Sequence, residues 1–177
     1  MDFSKVKTTR IAFKFSYIGK NYSGLVVQED TSLVTVESKL FDALRLCCLI
    51  DPDPNAKVAK CVYARCGRTD KGVSALANVC SLIVRYLPAG DYCTRINGAL
   101  PADIRILAYA EISPYFDARF SCVYREYKYF FLKREMDIDL MRKCCKSYIG
   151  LHDFRNFCKK DESTKFGLEA QPGEELE

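Results

Sequence analysis

The chain has 177 residues, of which 49% are hydrophobic and 28% charged, and it carries a formal charge of +4 at pH 7. That is enough chain to bury a core, and it is too apolar for a disordered polymer. No run approaches the roughly 18 apolar residues of a spanning helix, the N-terminal M-D-F-S-K-V-K lacks the apolar centre of a secretory signal, and so small a net charge permits an RNA partner without requiring one.

Ile11, Phe13, Phe15 and Tyr17 alternate with Ala12, Lys14 and Ser16, which predicts a half-buried strand. From Thr35 to about Ile50, the residues Val36, Leu40, Ala43, Leu44 and Cys47 recur at helical spacing, with Glu37 near the positive start of the helix. Residues 50–60 hold Asp51, Pro52, Asp53, Pro54 and Asn55 and read as a loop. Residues 58–66 and 79–87 are rich in β-formers and predict strands on either side of a glycine-bracketed turn. Asp91 is a candidate N-cap for a short helix ending near Gly98, and 104–112 alternates as a further strand. A longer strand is expected over 122–133, with Tyr127, Tyr129 and Phe131 on one face and Lys128, Phe130 and Leu132 on the other. Asp137 or Asp139 then caps a last helix, with Ile138, Met141, Cys145 and Ile149 as its buried stripe and Gly150 as its stop. Strands and helices interleave irregularly, which is an α+β pattern. The residues from Gly167 onward, with Glu169, Pro172, Gly173, Glu174, Glu175 and Glu177, read as a disordered tail.

The ten cysteines include no C-x-x-C pair and are accompanied by one histidine, His152. Zinc sites generally need paired short spacings, so no metal site is expected, and a metal-dependent nuclease or deaminase fails for want of ligands. Without a secretory signal a disulfide framework is not expected either. Several cysteines fall at apolar positions, where the residue acts as a small hydrophobe. Reduced thiols and a home in the cytoplasm, the nucleus or both are the reading. His152, beside Asp153 and just after the last predicted helix, reads as a structural contact.

Chemistry concentrates in Cys66–Ala75, which reads C-G-R-T-D-K-G-V-S-A. Asp70 stands between Arg68 and Lys71, and Gly67 and Gly72 let the backbone turn on both sides. Taken alone, T-D-K-G is ordinary turn chemistry. A carboxylate held among cations is also what a nucleophile or base requires.

The whole string resembles the catalytic segment of the TruA-type tRNA pseudouridine synthases, and the lysine after the aspartate resembles their eukaryotic branch. Other segments in the same order carry the resemblance. Tyr17-Ile18-Gly19-Lys20-Asn21-Tyr22-Ser23-Gly24 with Gln28 is similar to the family's Y-x-G-x-x-Y-x-G…Q opening. Asn97 to Ile104 is similar to N-x-x-L-P-x-D-I, and Ala118-Arg119-Phe120-Ser121 with Arg125-Glu126-Tyr127-Lys128-Tyr129 to A-R-F-S and R-x-Y-x-Y. Gly150 to Cys158 resembles the branch that modifies positions 38/39 on the 3′ side of the anticodon stem-loop.

The resemblance implies a pseudouridine synthase fold, with a mostly antiparallel mixed sheet flanked by helices and the catalytic loop on the sheet. It implies a domain over 1–161, with 162–177 as the tail and the family's later strands and helix lacking a counterpart after Asp161. It implies tRNA as partner, no membrane, no cofactor, no metal and a homodimer. It assigns Asp70 the catalytic role, whether by attack on the sugar, attack on the base or removal of a sugar proton. Arg68 and Lys71 become substrate-binding residues. Tyr127 becomes the ring that packs against the uracil, where the residues alone allow a cross-strand core aromatic instead. Lys71, Arg119, Arg125 and Lys128 are candidate phosphate contacts, each equally readable as a solvated charge. A non-catalytic RNA-binding relative is the alternative reading.

Overall fold

The computed structural model describes residues 3–28, 30, 32–53 and 61–157, and the predicted tail 162–177 lies outside them. The described residues form strands β1 (Thr8–Tyr17), β2 (Ala64–Arg65), β3 (Ala75–Arg85) and β4 (Ile104–Glu111), with helices α1 (Val36–Leu46), α2 (Tyr92–Ala99) and α3 (Ile138–Cys145). The chain divides into two compact units, Met1–Tyr127 and Lys128–Glu177. The class is α+β.

In the first unit the alternation read in β1 decides the layering. Ile11, Phe13 and Phe15 are fully buried on one face of the sheet. The strand order is β2-β3-β1-β4 and every pairing is antiparallel. Phe13 therefore sits opposite Cys80 of β3 and Tyr109 of β4, and Ile11 opposite Leu82. Helices α1 and α2 supply Leu40, Leu44, Tyr92 and Ile96 to the same core. The Tyr92 ring meets Phe13 and Tyr109 edge-on at 6.3 and 5.0 Å. Its hydroxyl donates to the Arg85 carbonyl at 3.2 Å and accepts from the Leu87 amide at 2.9 Å, so the polar tip is satisfied. Ser81, one residue from Leu82, faces the other side of the pleat and accepts the Ala118 amide at 3.1 Å. Arg10 donates to the Phe116 carbonyl at 2.9 Å. The A-R-F-S segment thus lies across the back of β1 and β3.

Local chemistry sets the bounds of α1. Thr35 and Ser38 form a reciprocal capping box, with both hydroxyl-to-amide distances 3.1 Å. At the other end the Leu49 amide bonds to the Leu44 carbonyl and the Cys48 amide to the Arg45 carbonyl, with Cys48 at φ 50. That is a Schellman reversal, and it stops the helix before the expected Ile50.

Elsewhere the structure corrects the sequence reading. The strand expected over 58–66 is confined to Ala64–Arg65, its first residues lying outside the described ones, and β3 starts at Ala75 rather than 79. Asp91 occupies the N-cap of α2 but makes no capping bond with its side chain. No strand forms over 122–133, where Tyr127, Tyr129 and Phe130 are exposed. That segment carries apolar residues on both would-be faces, and among the described residues it has no partner strand to satisfy its backbone.

In the second unit, Asp137 caps α3 by accepting the Asp139 and Leu140 amides at 3.0 and 2.9 Å. The stripe predicted to be buried on α3 is not, because a stripe is buried only where another element covers it. The last turn continues as a 3-10 turn over Lys146–Tyr148, and Gly150 follows at φ +108.

Phe13→Ala should destabilise the protein by about 3–5 kcal/mol, the usual cost of deleting a fully buried ring. Urea unfolding followed by circular dichroism measures it, and a loss below ~1 kcal/mol would show that this sheet face does not hold the core.

Candidate active site

The hairpin that joins β2 to β3 carries the C-G-R-T-D-K-G-V-S-A string, and backbone bonds fix it on both flanks. The Cys66 amide donates to the Val79 carbonyl at 2.8 Å, extending the ladder into the loop. The Leu25 amide donates to the Thr69 carbonyl at 3.0 Å and the Gly72 amide to the Tyr22 carbonyl at 3.2 Å. Thr69 Oγ1 lies 2.7 Å from the Tyr17 hydroxyl, and Ser74 Oγ accepts the Gly19 amide at 2.9 Å. The loop is therefore laid against the Y-x-G-x-x-Y-x-G segment. Gly24 is needed there twice over: its φ is +105, and a Cβ would stand 3.1 Å from the Thr69 carbonyl oxygen. At Gly19 a Cβ would fall 1.9 Å from the Val73 oxygen, which no side chain can tolerate. Tyr22 in turn donates to Asp103 at 2.5 Å, joining the N-x-x-L-P-x-D-I segment to the same assembly. Burial first, then the Asp103 carboxylate, pushes the Tyr22 hydroxyl far up, so it stays a donor.

Behind the loop sits a buried acid, Glu37, on the first turn of α1. Its carboxylate accepts the Val27 amide at 3.1 Å and the Tyr63 hydroxyl at 3.0 Å, and it pairs with Arg65 Nε at 2.5 Å. Burial raises its pKa above the ordinary value, against the downward pull of Arg65, the Val27 amide and the Tyr63 hydroxyl. Arg65 is the last residue before the loop, and Val27 belongs to the segment that faces it. One carboxylate therefore ties both sides together. Sequence patterning assigned Glu37 only to the helix dipole. The signal available was an acid at a position flanked by buried Val36 and Leu40 in the stripe of α1.

Between those sides lies a cleft of about 460 Å³, within the usual range for small-molecule sites. Ser23, Gly24, Val26 and Gln28 form one wall, and Arg68, Thr69, Asp70 and Lys71 the other. The structure thus brings Asp70, Arg68 and Lys71 to one wall, all three side chains exposed. None of the three side chains makes a hydrogen bond or ion pair to a described residue, so the cations flank the carboxylate without clamping it. Tyr127 is 74% exposed and does not line the cleft. It is not a core aromatic. Two residues before it, Arg125 donates through Nε to the Cys66 carbonyl at 3.0 Å and also through Nη2, which docks the R-E-Y segment at the start of the loop. Arg119 stacks over Phe120 at 5.2 Å, and Lys128 falls in the second unit. His152, also in that unit, contacts the Ile149 carbonyl at 2.9 Å and the Phe154 ring, while Asp153 pairs with Arg155. Among the described residues no group of three or more His, Cys, Asp or Glu is placed to hold a metal ion, and no helix is long and apolar enough to cross a membrane.

No protein-family model matches the chain. Its similarity to individual proteins is extensive. It is 45% identical to the tRNA pseudouridine(38/39) synthase of Saccharomyces cerevisiae over 177 aligned positions, covering 92% of this chain and 39% of that protein. It is 42% identical to the mouse protein of the same name over 180 positions, covering 90% of this chain and 36% of that protein. The chain belongs to the TruA-type tRNA pseudouridine synthase family. An archaeal member, tRNA pseudouridine synthase A of Methanosarcina acetivorans, is 38% identical over 86% of this chain and 54% of its own length. The chain thus spans less than two thirds of these synthases.

Glu37 yields a prediction with a definite sign. A folded-state pKa raised by burial means that the folded protein holds this proton more tightly than the unfolded chain does. The stability it contributes is full below the ordinary value of 4.5 and is lost as pH rises through the raised value. Glu37→Gln cannot ionise and should lack that decline, so wild-type urea midpoints should fall relative to the variant as pH rises from 4.5 toward neutrality. Parallel profiles would contradict the assignment. Glu37→Ala should cost about 3 kcal/mol, the low end for a broken buried pair, because Arg65 keeps 25% of its side chain in solvent.

Proposed function

We propose that this chain carries the uridine-isomerising centre of a tRNA pseudouridine synthase with the pseudouridine synthase fold, acting on positions 38/39 of the anticodon stem-loop. The observation that carries the reading is Asp70, presented with Arg68 on an open cleft in a chain 41–45% identical to proteins named for that activity. The names of those relatives supply tRNA as the partner; the family resemblance adds a homodimer to the proposal, and the reduced cysteines a home in the cytoplasm or nucleus.

The chemistry fits the groups present. Converting uridine to pseudouridine breaks the N1–C1′ bond, turns the uracil and joins C5 to C1′, with no change of oxidation state. A carboxylate and proton-transfer groups suffice for such a sequence. Asp70 opens it by attack on the sugar or base, or by taking a sugar proton. The uracil must first leave its stack, at a cost of a few kcal/mol. Arg68 and Lys71, beside Asp70, offer that displaced nucleotide phosphate contacts. Tyr127 offers an exposed ring as a substitute stacking surface.

Asp70→Asn keeps the shape and loses the charge. It should lower turnover by roughly 10²–10⁴-fold or more while leaving RNA affinity and unfolding midpoint near wild type. Tritium release from anticodon stem-loop RNA labelled at uridine C5 reads the reaction directly. Undiminished release by the variant would remove Asp70 from the mechanism. RNA binding by wild type with no release at all would favour the non-catalytic reading instead.

A further inference from the structure

The start of the Asp70 loop carries a thiol pair that the isomerisation does not use. Cys66 donates its S–H to Cys122 Sγ at 3.3 Å, and Cys122 donates in turn to the Tyr124 carbonyl at 3.3 Å. Both side chains are half-buried, so both remain within reach of small reagents. None of the nine described cysteines is in a disulfide, and the others contrast with this pair. Cys80 lies wholly inside the core with its thiol pushed up to about 12, chiefly by burial, and acts as a hydrophobe. Cys144 and Cys145 are exposed in the second unit.

We propose that Cys66 and Cys122 form a reversible oxidation site, in which a peroxide or a small-molecule disulfide closes them into an intramolecular disulfide that staples segment 122–125 to the Asp70 loop. The sulfurs need to close from 3.3 Å to about 2.05 Å, a shift of roughly 1.2 Å. The two backbones are already held together there by the Arg125 guanidinium on the Cys66 carbonyl, while the Cys66 amide is fixed to β3. With a peroxide, one thiol becomes a sulfenic acid with release of water, and the second thiol displaces its oxygen as another water. Two electrons pass from the sulfurs to the peroxide, and the thiol protons leave in the waters. With a disulfide such as oxidised glutathione, exchange through a mixed disulfide releases two glutathione thiols. Burial and the bond to Cys122 hold the Cys66 thiol above its ordinary range despite Arg125. The site is therefore slow at neutral pH, suited to sustained oxidation rather than to rapid peroxide sensing.

The proposal is independent of what the cleft binds, and its test needs no turnover. The whole chain is treated with oxidised glutathione, remaining thiols are alkylated, and peptides are mapped without reductant. The expected result is a dominant Cys66–Cys122 cross-link, removed by dithiothreitol, with a higher thermal unfolding midpoint in the oxidised form. Cys122→Ser should melt as wild type under reducing conditions and stall with glutathione on Cys66. Recovery of Cys66 as single adducts in the wild type, or cross-links to Cys122 no more abundant than those among Cys144, Cys145 and other thiols, would overturn it.

Discussion

Glu37 is the constraint on which the site depends. Removing a carboxylate from water costs several kcal/mol even after the protein relaxes, and such a group persists only where its lone pairs are taken up. Here an amide and a phenol donate to it and a guanidinium pairs with it, from two separate pieces of chain, Val27 on one and Tyr63 and Arg65 on the other. The Val27 amide lies in the segment that forms one wall of the cleft. Arg65 ends β2 and starts the Asp70 loop. Tyr63 packs its ring on Phe41 of α1 at 5.0 Å. A hydrophobic substitute could fill the same volume, but it could not specify the separation of the two walls. The charge gives positional definition where apolar packing would give only cohesion.

Around that anchor, the cleft is assembled almost wholly from backbone bonds and small hydroxyls. Thr69 and Ser74, the short side chains within the string, turn inward onto Tyr17 and Gly19. Arg68, Asp70 and Lys71, the charged ones, turn outward. The division follows from reach: a β- or γ-hydroxyl can bond to a neighbouring strand only by lying close to it, whereas a long charged side chain is cheapest left in solvent. The string thus carries both its own anchorage and its own charged, solvent-facing groups.

How much of this was legible in the sequence depended on whether a residue's neighbours were local. The alternation of Ile11 to Tyr17 and the run from Thr35 through Leu44 gave β1 and α1, because strand pleat and helix pitch are set by adjacent residues. The loop string and its glycines were legible for the same reason. Glu37 was legible as an acid in the first turn of α1, but not as an anchor, because its partners, Arg65 and Tyr63, come from a distant part of the chain, and no periodicity announces them. Residues 122–133 failed in the opposite direction. Their β-forming character is real, but a strand is a property of two segments, and propensity reports only one. The stripe of α3 failed likewise: amphipathic spacing predicts which face would be buried if something covered it, not that something does.

The same distinction explains why Asp70 is better described by its surroundings than by its bonds. It has cations beside it in sequence and in space, yet it is not paired with either of them. A carboxylate locked in an ion pair would have to break it before reaching a reacting atom, and would lose basicity and nucleophilicity while held. Flanking cations that are not tied to it still attract phosphate, with their donors left open. Arg125, by contrast, is committed to the Cys66 carbonyl, and its charge serves to hold the loop. Of the arginines singled out by sequence, Arg125 therefore acts on structure, while Arg68 keeps its guanidinium in solvent. The bonds each makes in the fold, not its place in a motif, separate the two roles.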